Sequence, residues 1–502
     1  MSFSKGVIAA SLLAFCLVGS PRIRATTKDE DARQIVARGI PHAEAYIAKL
    51  ATTVANSKAF FQEDYGQITI TARYDTERGM LFLDPGERFG PIADRFEVED
   101  FREFIFFSVE PVILSLPNYS RTEWLFGGRD FDSWFPQESK TSQSANIRRM
   151  SMVEAPSHVL VSAGHGYYFN HGFNDWRPQR EVDNGILEDE ITIPLSDLLT
   201  VELMLSGSNV TGARNAALKF HEPSKQPYHM IAARYQLEEL LPDHPEIWHS
   251  KPDATDALRE YHEDILSRPL YANYLGASEA IHLHTNAGIP SARGARVIVQ
   301  KGRPQDVRLG KMVLCYMKEH IQNIPVYADF YVPSDPHEDN KGENRVANMP
   351  SVIVEVAFHT NGQDAEALND LRFQAAAMKG VAKGYRLYKQ GDDCAEFAIS
   401  APDKSEGVAG SSVSFPVAFE GNPDFPVVIE VKEDCTGPYC YRNSDIFYDD
   451  QSFAGYTHSY SCRKDPAYRP EAVLAIKARD FKGVETKEIL HKVTCAPPPA
   501  LM

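Results

Sequence analysis

A chain of 502 residues that is 43% hydrophobic and 24% charged can bury several cores, which excludes an intrinsically disordered protein. Acids outnumber bases by 69 to 52, and the formal charge of −17 argues against nucleic acid or anionic lipid as a partner.

Residues 1–25 place Lys5 ahead of the apolar run Val7–Val18 and follow it with small residues, the layout of a secretory signal peptide. The run is too short to span a bilayer comfortably. The sequence therefore predicts export to the periplasm or the extracellular cell-wall space, cleavage between Gly19 and Thr26, and no integral membrane span in the mature chain. Phe15 is too bulky for the residue that precedes a lipidated cysteine, so Cys16 does not mark a lipoprotein.

Residues 27–150 read as an N-terminal α+β domain of unassigned role. Asp29–Phe61 is predicted as a helix, Gln67–Asp84 as two strands around Thr76-Glu77-Arg78-Gly79, and Phe101–Leu116 as an apolar helix stopped by Pro117. The aromatic-rich stretch Thr122–Phe135 suits either sugar stacking or local core, and core is the commoner use. Gln137–Ser151 is polar and reads as a linker.

Residues 155–390 alternate short apolar strands (Val159–Val161, Glu279–Leu283, Ala295–Val299, Val352–Val356) with helices (Ile191–Leu205, Val307–His320, Asp364–Gln390). That alternation predicts an α/β domain with a mostly parallel sheet and helices on both faces. Residues 394–502 switch to period two, with Gly, Pro and Asn turns, and predict an immunoglobulin-like β-sandwich. Six cysteines follow the signal segment, five of them at 394 and beyond. In an exported chain that density implies disulfides. Cys394 opens the sandwich and Cys495 closes it, which suggests one bridge; Cys435 and Cys440 suggest another. Cys315, in the apolar stretch KMVLCYM, reads as an inert buried thiol.

Candidate chemistry lies in the middle unit. The strand Val159-Leu160-Val161 runs into Gly164-His165-Gly166, a turn that presents an imidazole at a strand's carboxyl end, where ligands bind in open α/β sheets. Glu188 follows 23 residues later at the start of a predicted helix, with Asp189 and Glu190 as rivals. In AIHLHTNAG, His282 and His284 point to one face of a strand. In SVIVEVAFHTN, Glu355 stands among apolar residues, where an unpaired carboxylate costs several kcal/mol (about 3 or more) unless a partner compensates it. No thiolate spacing suits zinc, so a metal would be held by His and carboxylates. Two His and one Glu leave zinc an open position, and a further carboxylate supplies a general base, the requirements for metal-assisted hydrolysis of an amide.

These motifs resemble those of the zinc-dependent N-acetylmuramoyl-L-alanine amidases, whose pattern runs D-A-G-H-G-G, G-x-x-E, R-x-x-x-A-N, S-I-H-A-N and P-x-x-L-V-E-x-G-F-x-S-N. Here SAGHG, GILE, Arg268 to Asn273, HLHTNA and PSVIVEVAFHTN keep that order over 155–390. The resemblance implies His165, Glu188 and His284 as Zn2+ ligands and Glu355 as catalytic acid/base. His282, which falls on the family's Ser, is expected with Arg268 and Asn286 just behind the ligands. Tyr167 replaces the family's second glycine and should make the mouth bulkier, and Ala357 replaces the glycine of the last motif. The 96-residue spacing from Glu188 to His284 looks long. The predicted helix Tyr228–Leu241 has two readings: it packs on the sheet with Glu238 and Glu239 in solvent, or, by analogy with division-associated amidases, it places one of them over the zinc until an activating protein partner moves it.

The resulting expectation is an exported zinc hydrolase cutting between N-acetylmuramic acid and L-alanine of peptidoglycan. The alternatives are a zinc amidohydrolase or carboxypeptidase acting on small acyl-amino acids, and a catalytically inactive wall-associated scaffold.

Overall fold

The computed structural model describes residues 29–57, 67–87, 95–134, 158–214, 217, 219–436, 440–464 and 469–497. The signal-like segment and the linker read at Gln137–Ser151 lie outside the described residues. Among the described residues no helix is long and apolar enough to cross a membrane.

The chain opens with helices α1 (Asp29–Ala37) and α2 (Ile40–Ala55). One continuous helix was expected here, but Gly39 at φ 107° and Pro41 in the first turn of α2 break it. Strands β1 (Thr71–Asp75) and β2 (Met80–Asp84), helix α3 (Arg95–Ile113) and strands β3 (Arg121–Phe126) and β4 (Arg129–Asp130) complete this unit around a sheet in order β1-β2-β3-β4. The aromatic stretch is core: Trp124, Phe126 and Phe131 are all buried.

The central unit contains β5 (His158–Ala163), the hairpin β6 (Tyr168–Asn170) and β7 (Asp175–Arg177), α4 (Glu188–Leu205), β8 (Asn209–Gly212), the short β9 (Phe220–His221) and β10 (Gln226–Pro227), and helices α5 (Ala233–Leu240), α6 (Pro245–Trp248) and α7 (Arg259–Leu275). It continues through β11 (Glu279–Asn286), β12 (Arg296–Gln300), α8 (Pro304–Gln322), β13 (His337–Asp339), α9 (Gly342–Val346), β14 (Ser351–Phe358), α10 (Gly362–Leu368) and α11 (Leu371–Gln390). The single helix expected over Asp364–Gln390 divides at Asp370, whose carboxylate accepts the Arg372 N–H at 2.8 Å and starts a new helix. Six strands form one mixed sheet in the order β13-β12-β14-β11-β5-β8, parallel except where β12 runs against β14.

Period two along these strands decides what covers each face. Ile281 and Leu283, Val297 and Val299, and Val352 and Val354 turn to one side and bury against α4, α8 and α11. On the other side Leu160 and Ala280 pack with residues of α5, α6 and α7. Ile298 and Ile353 share that second side and, with Phe358 beyond the register shift near the end of β14, join the core of the N-terminal unit, with Phe101, Phe104 and Phe107 of α3. The N-terminal unit thus completes the second face of the central sheet.

The C-terminal unit has its own core, with Phe415, Ile429, Leu474, Ile476 and Val493 at its centre. Its strands are β15 (Ala398–Ser400), β16 (Lys404–Val408), β17 (Ser412–Pro416), β18 (Ala418–Glu420), β19 (Val427–Glu433), β20 (Arg442–Phe447), β21 (Thr457–Ser461), β22 (Glu471–Arg479) and β23 (Ile489–Ala496). They form a five-stranded sheet, β16-β23-β22-β19-β20, and the ladders β17-β21 and β15-β18. The disulfides are Cys315–Cys394, Cys435–Cys440 and Cys462–Cys495. This corrects two expectations: Cys315 is no free thiol, and Cys495 pairs with Cys462 rather than Cys394. The bridge from α8 to Cys394 ties the last unit to the central one.

Candidate metal centre and active site

Three ligand atoms converge where β5, α4 and β11 meet. His284 Nδ1 lies 3.1 Å from Glu188 Oε1 and 3.2 Å from His165 Nε2, and His165 Nε2 lies 3.4 Å from Glu188 Oε1. All three residues are buried. Tetrahedral zinc with N and O bonds near 2.0–2.1 Å holds its donors about 3.3 Å apart, so the spacing fits one small cation. The three groups could hold a metal ion together.

The local backbone explains how the sequence brings them there. His165 adopts φ 61°, a conformation unfavourable for a side chain with Cβ, at the turn that aims its ring into the site. Gly164 is required because a Cβ there would meet the His284 ring at 2.4 Å. Asp189, a rival of Glu188 by sequence, accepts N–H groups from Gly166, Gln179 and Arg180 at 2.7, 2.9 and 3.1 Å and so shapes the loop. Glu190 is exposed. Of the three neighbours, Glu188 alone reaches the histidines.

The outer ring nitrogens also have partners. Gln179 Oε1 accepts from His165 Nδ1 at 3.1 Å, and Gln179 Nε2 donates to Asp264 at 2.9 Å, which leaves the Nε2 lone pair of His165 facing Glu188 and His284. His284 Nε2 lies 2.9 Å from Glu343 Oε2, and Glu343 Oε1 accepts from Arg268 Nε at 2.6 Å. Arg268, expected near the ligands, thus anchors the carboxylate behind His284 and pairs with Asp264. His282 is fully buried with its Nδ1 3.6 Å from Glu343. Glu343 and Gln179 escaped the sequence reading. Glu343 sits in the polar stretch DNKGENR, which has neither periodicity nor a chemical motif to mark it.

A cavity of about 430 Å³ opens beside these groups. Its walls include Glu355 and Asn286 from the strand ends, Arg180 from the loop before α4, and Glu99, Asp100 and Glu103 from α3. Glu355 is 5% exposed, and its Oε2 has no hydrogen-bond partner among the described residues. Burial, with Glu103 and Glu188 adding to it against His284, pushes the Glu355 carboxyl well above the ordinary range. Burial also acts on Glu188, but His165, His284 and Arg180 outweigh it and hold that carboxyl well below the ordinary range. Two carboxyls in one site are thereby driven apart, one toward the ionised form and one toward the protonated form.

Two candidate contributors to the site do not line the cavity. Glu238 and Glu239 lie at the end of α5, which spans only Ala233–Leu240; Glu239 pairs with Lys219 at the surface, and neither carboxylate lines the cavity. Tyr167 is no wall of the mouth, because its backbone pairs with Met230 and Ala232 and carries it along the Ile231 segment.

Comparison with known proteins found no match among curated sequences. Among solved structures, the CwlD amidase from Clostridioides difficile, solved with the GerS lipoprotein, aligns at 16% identity and TM-score 0.33 over 47% of this chain and 100% of its own. The amidase AmiC2 of Nostoc punctiforme aligns at 16% and 0.32, covering 47% and 99%. Ami1 from Mycobacterium smegmatis aligns at 14% and 0.31, again covering 47% and 99%. Likeness at that level carries no argument about chemistry. The family comparison does: residues 159–386, which include His165, Glu188, His284 and Glu355, match the model for N-acetylmuramoyl-L-alanine amidases. Over residues 159–386, the central unit of this chain matches as an N-acetylmuramoyl-L-alanine amidase domain.

Proposed function

We propose that this chain is an exported zinc hydrolase that cleaves the amide between the lactyl group of N-acetylmuramic acid and L-alanine of the peptidoglycan stem peptide. The observation that carries the zinc reading is the convergence of His165 Nε2, Glu188 Oε1 and His284 Nδ1 at 3.1–3.4 Å. Zinc held there supplies Lewis-acid polarisation of the scissile carbonyl and activation of water. Glu355 is the acid/base: its unpartnered Oε2 opens on the cavity beside His284, and the upward displacement of its carboxyl suits it to take a proton from water and pass it to the leaving L-alanine nitrogen. Asn286, whose Nδ2 is buried without a partner among the described residues, offers a donor to the substrate beside it. Export is supported by the signal-like N-terminus together with three disulfides. The C-terminal unit is read as an immunoglobulin-like sandwich, supported by its strand ladders around one core.

The test pairs zinc content of the purified protein with digestion of purified sacculi. The expected result is one zinc per chain and release of peptides that begin with L-alanine. A zinc protein that leaves sacculi intact and hydrolyses soluble acyl-amino acids would overturn the substrate reading. Glu355→Ala should keep zinc and lose hydrolysis, and His284→Ala should lose both. Loss of zinc from a folded Glu355→Ala protein would overturn the assigned roles.

A further inference from the structure

The N-terminal helix α3 grips the residues that carry Glu343. Helix α9 has only five residues, too few to be stable alone. Glu99 Oε2 accepts from Gly342 N at 2.9 Å, and Glu99 Oε1 accepts from Arg345 Nη1 at 2.6 Å, one carboxylate thus holding both ends of the α9 turn. One residue ahead of α9, Lys341 Nζ donates to Asp100 Oδ1 at 3.1 Å and lies 2.6 Å from Glu103 Oε2. Between these anchors Glu343 is directed at Arg268 and at the outer nitrogen of His284. A carboxylate on that nitrogen fixes the tautomer and orientation of a ligating imidazole, so that Nδ1 faces His165 and Glu188. Helix α3 is itself fixed, because Val98, Phe101, Ile105 and Phe107 are fully or almost fully buried in the core shared with the catalytic sheet.

We propose that the N-terminal unit is a positioning part of the metal centre: Glu99 holds the α9 turn, and the turn holds Glu343 against His284. This inference rests on the zinc reading above. It assigns a role to a unit that lies outside the residues matched by the family, and it names Glu343 and Glu99 as positioning residues that act on the metal through His284.

The experiment measures zinc affinity of the full chain by chelator competition for wild type, Glu343→Ala, Glu343→Gln, Glu99→Gln and the double variant of Glu99→Gln with Glu343→Ala. Glu123→Gln serves as control, since Glu123 pairs with Lys301 across the same two units without touching residues 341–345. Glu343→Ala should weaken zinc binding by about 10- to 100-fold, the usual effect of removing a partner behind a metal ligand. Glu343→Gln keeps the side-chain size, should lose less, and keeps the measurement available if the alanine variant does not fold. Glu99→Gln should weaken zinc in the same direction by a smaller factor, and that loss should vanish in the Glu343→Ala background, because both act through one path. The control should bind as wild type does. Wild-type affinity in folded Glu343→Ala and Glu343→Gln, or a Glu99→Gln loss that persists in the double variant, would overturn the inference while leaving the zinc reading intact. A wild-type chain that binds no zinc would overturn both.

Discussion

The two units that flank the catalytic domain are attached in opposite ways. The N-terminal unit contributes Phe101, Phe104 and Phe107 to a core that also contains Ile298, Ile353 and Phe358 of the catalytic sheet. The C-terminal unit closes its own core and meets the catalytic domain through the Cys315–Cys394 bridge and polar contacts: Lys318 with Glu396, Arg386 with Asp424, and Lys482 with Glu202, at 3.0, 2.7 and 2.6 Å. A unit becomes separable when its apolar surface is satisfied internally. By that criterion the last hundred residues are an appendage, whereas the first hundred and more are half of a sandwich of layers around the catalytic sheet.

Truncation gives the largest expected contrast. A chain lacking residues 1–134 should fail to fold, because Ile298, Ile353 and Phe358 lose their cover, while a chain ending at Gln390 should remain soluble and keep zinc. Circular dichroism and metal content check this, and a folded, soluble chain without the first unit would break the comparison. Single core truncations sharpen it: Phe107→Ala and Phe415→Ala should each cost about 3–5 kcal/mol. Calorimetry should show Phe107→Ala lowering the transition with which hydrolytic activity is lost, and Phe415→Ala lowering only the transition of the C-terminal unit. Replacing Cys315 and Cys394 together by serine opens a 79-residue loop, worth about 4 kcal/mol in the chain-entropy account. That change should widen the gap between the sandwich transition and the catalytic one while sacculus digestion at 25 °C is retained.

The smallest effect is in pH. Burial, with Lys383, Lys379 and Lys482 around it, holds His320 well below the ordinary histidine range near the C-terminal unit. Burial, with Arg102, Arg296 and Lys341 outweighing Asp339, lowers His337 to about 4 where it stacks on Phe106 of α3. Both groups are neutral when folded and take up protons when unfolded below about pH 6.5, so their stability contribution is whole above that pH and is lost as pH falls toward 4. Melting temperatures measured from pH 7 down to pH 4 should therefore decline. Substituting His320 by Gln should flatten the decline of the transition involving the C-terminal contact, and His337→Gln that of the catalytic one.

The parts of the site that were legible in the sequence lie on regular elements. Val159–Val161, the alternation around His282 and His284, and the apolar neighbours of Glu355 carry the period of a strand, and the structure places His284 and Glu355 at facing positions of adjacent parallel strands. Glu343 was illegible because a five-residue turn held by long-range ion pairs leaves no local period. The docking of the first unit had a faint signal. The run FIFFSVEPVI in α3 is apolar on nearly all sides, as expected of a helix covered by two partners rather than one. Disulfide partners were beyond reach, because connectivity depends on which cysteines the fold juxtaposes and not on their order along the chain.

The pairs from Glu99 to Gly342 and to Arg345 span 243 and 246 residues. During synthesis the first unit and the strand that bears His165 and the strand that bears His284 are all made well before the segment that secures them. A growing chain is therefore unable to complete its catalytic pocket until residues 341–358 have been added. Contacts of such length also make late assembly slow, since loop closure must precede any gain from them. That delay amounts to a timer written into the connectivity, which withholds a complete pocket until the last of these segments has been made.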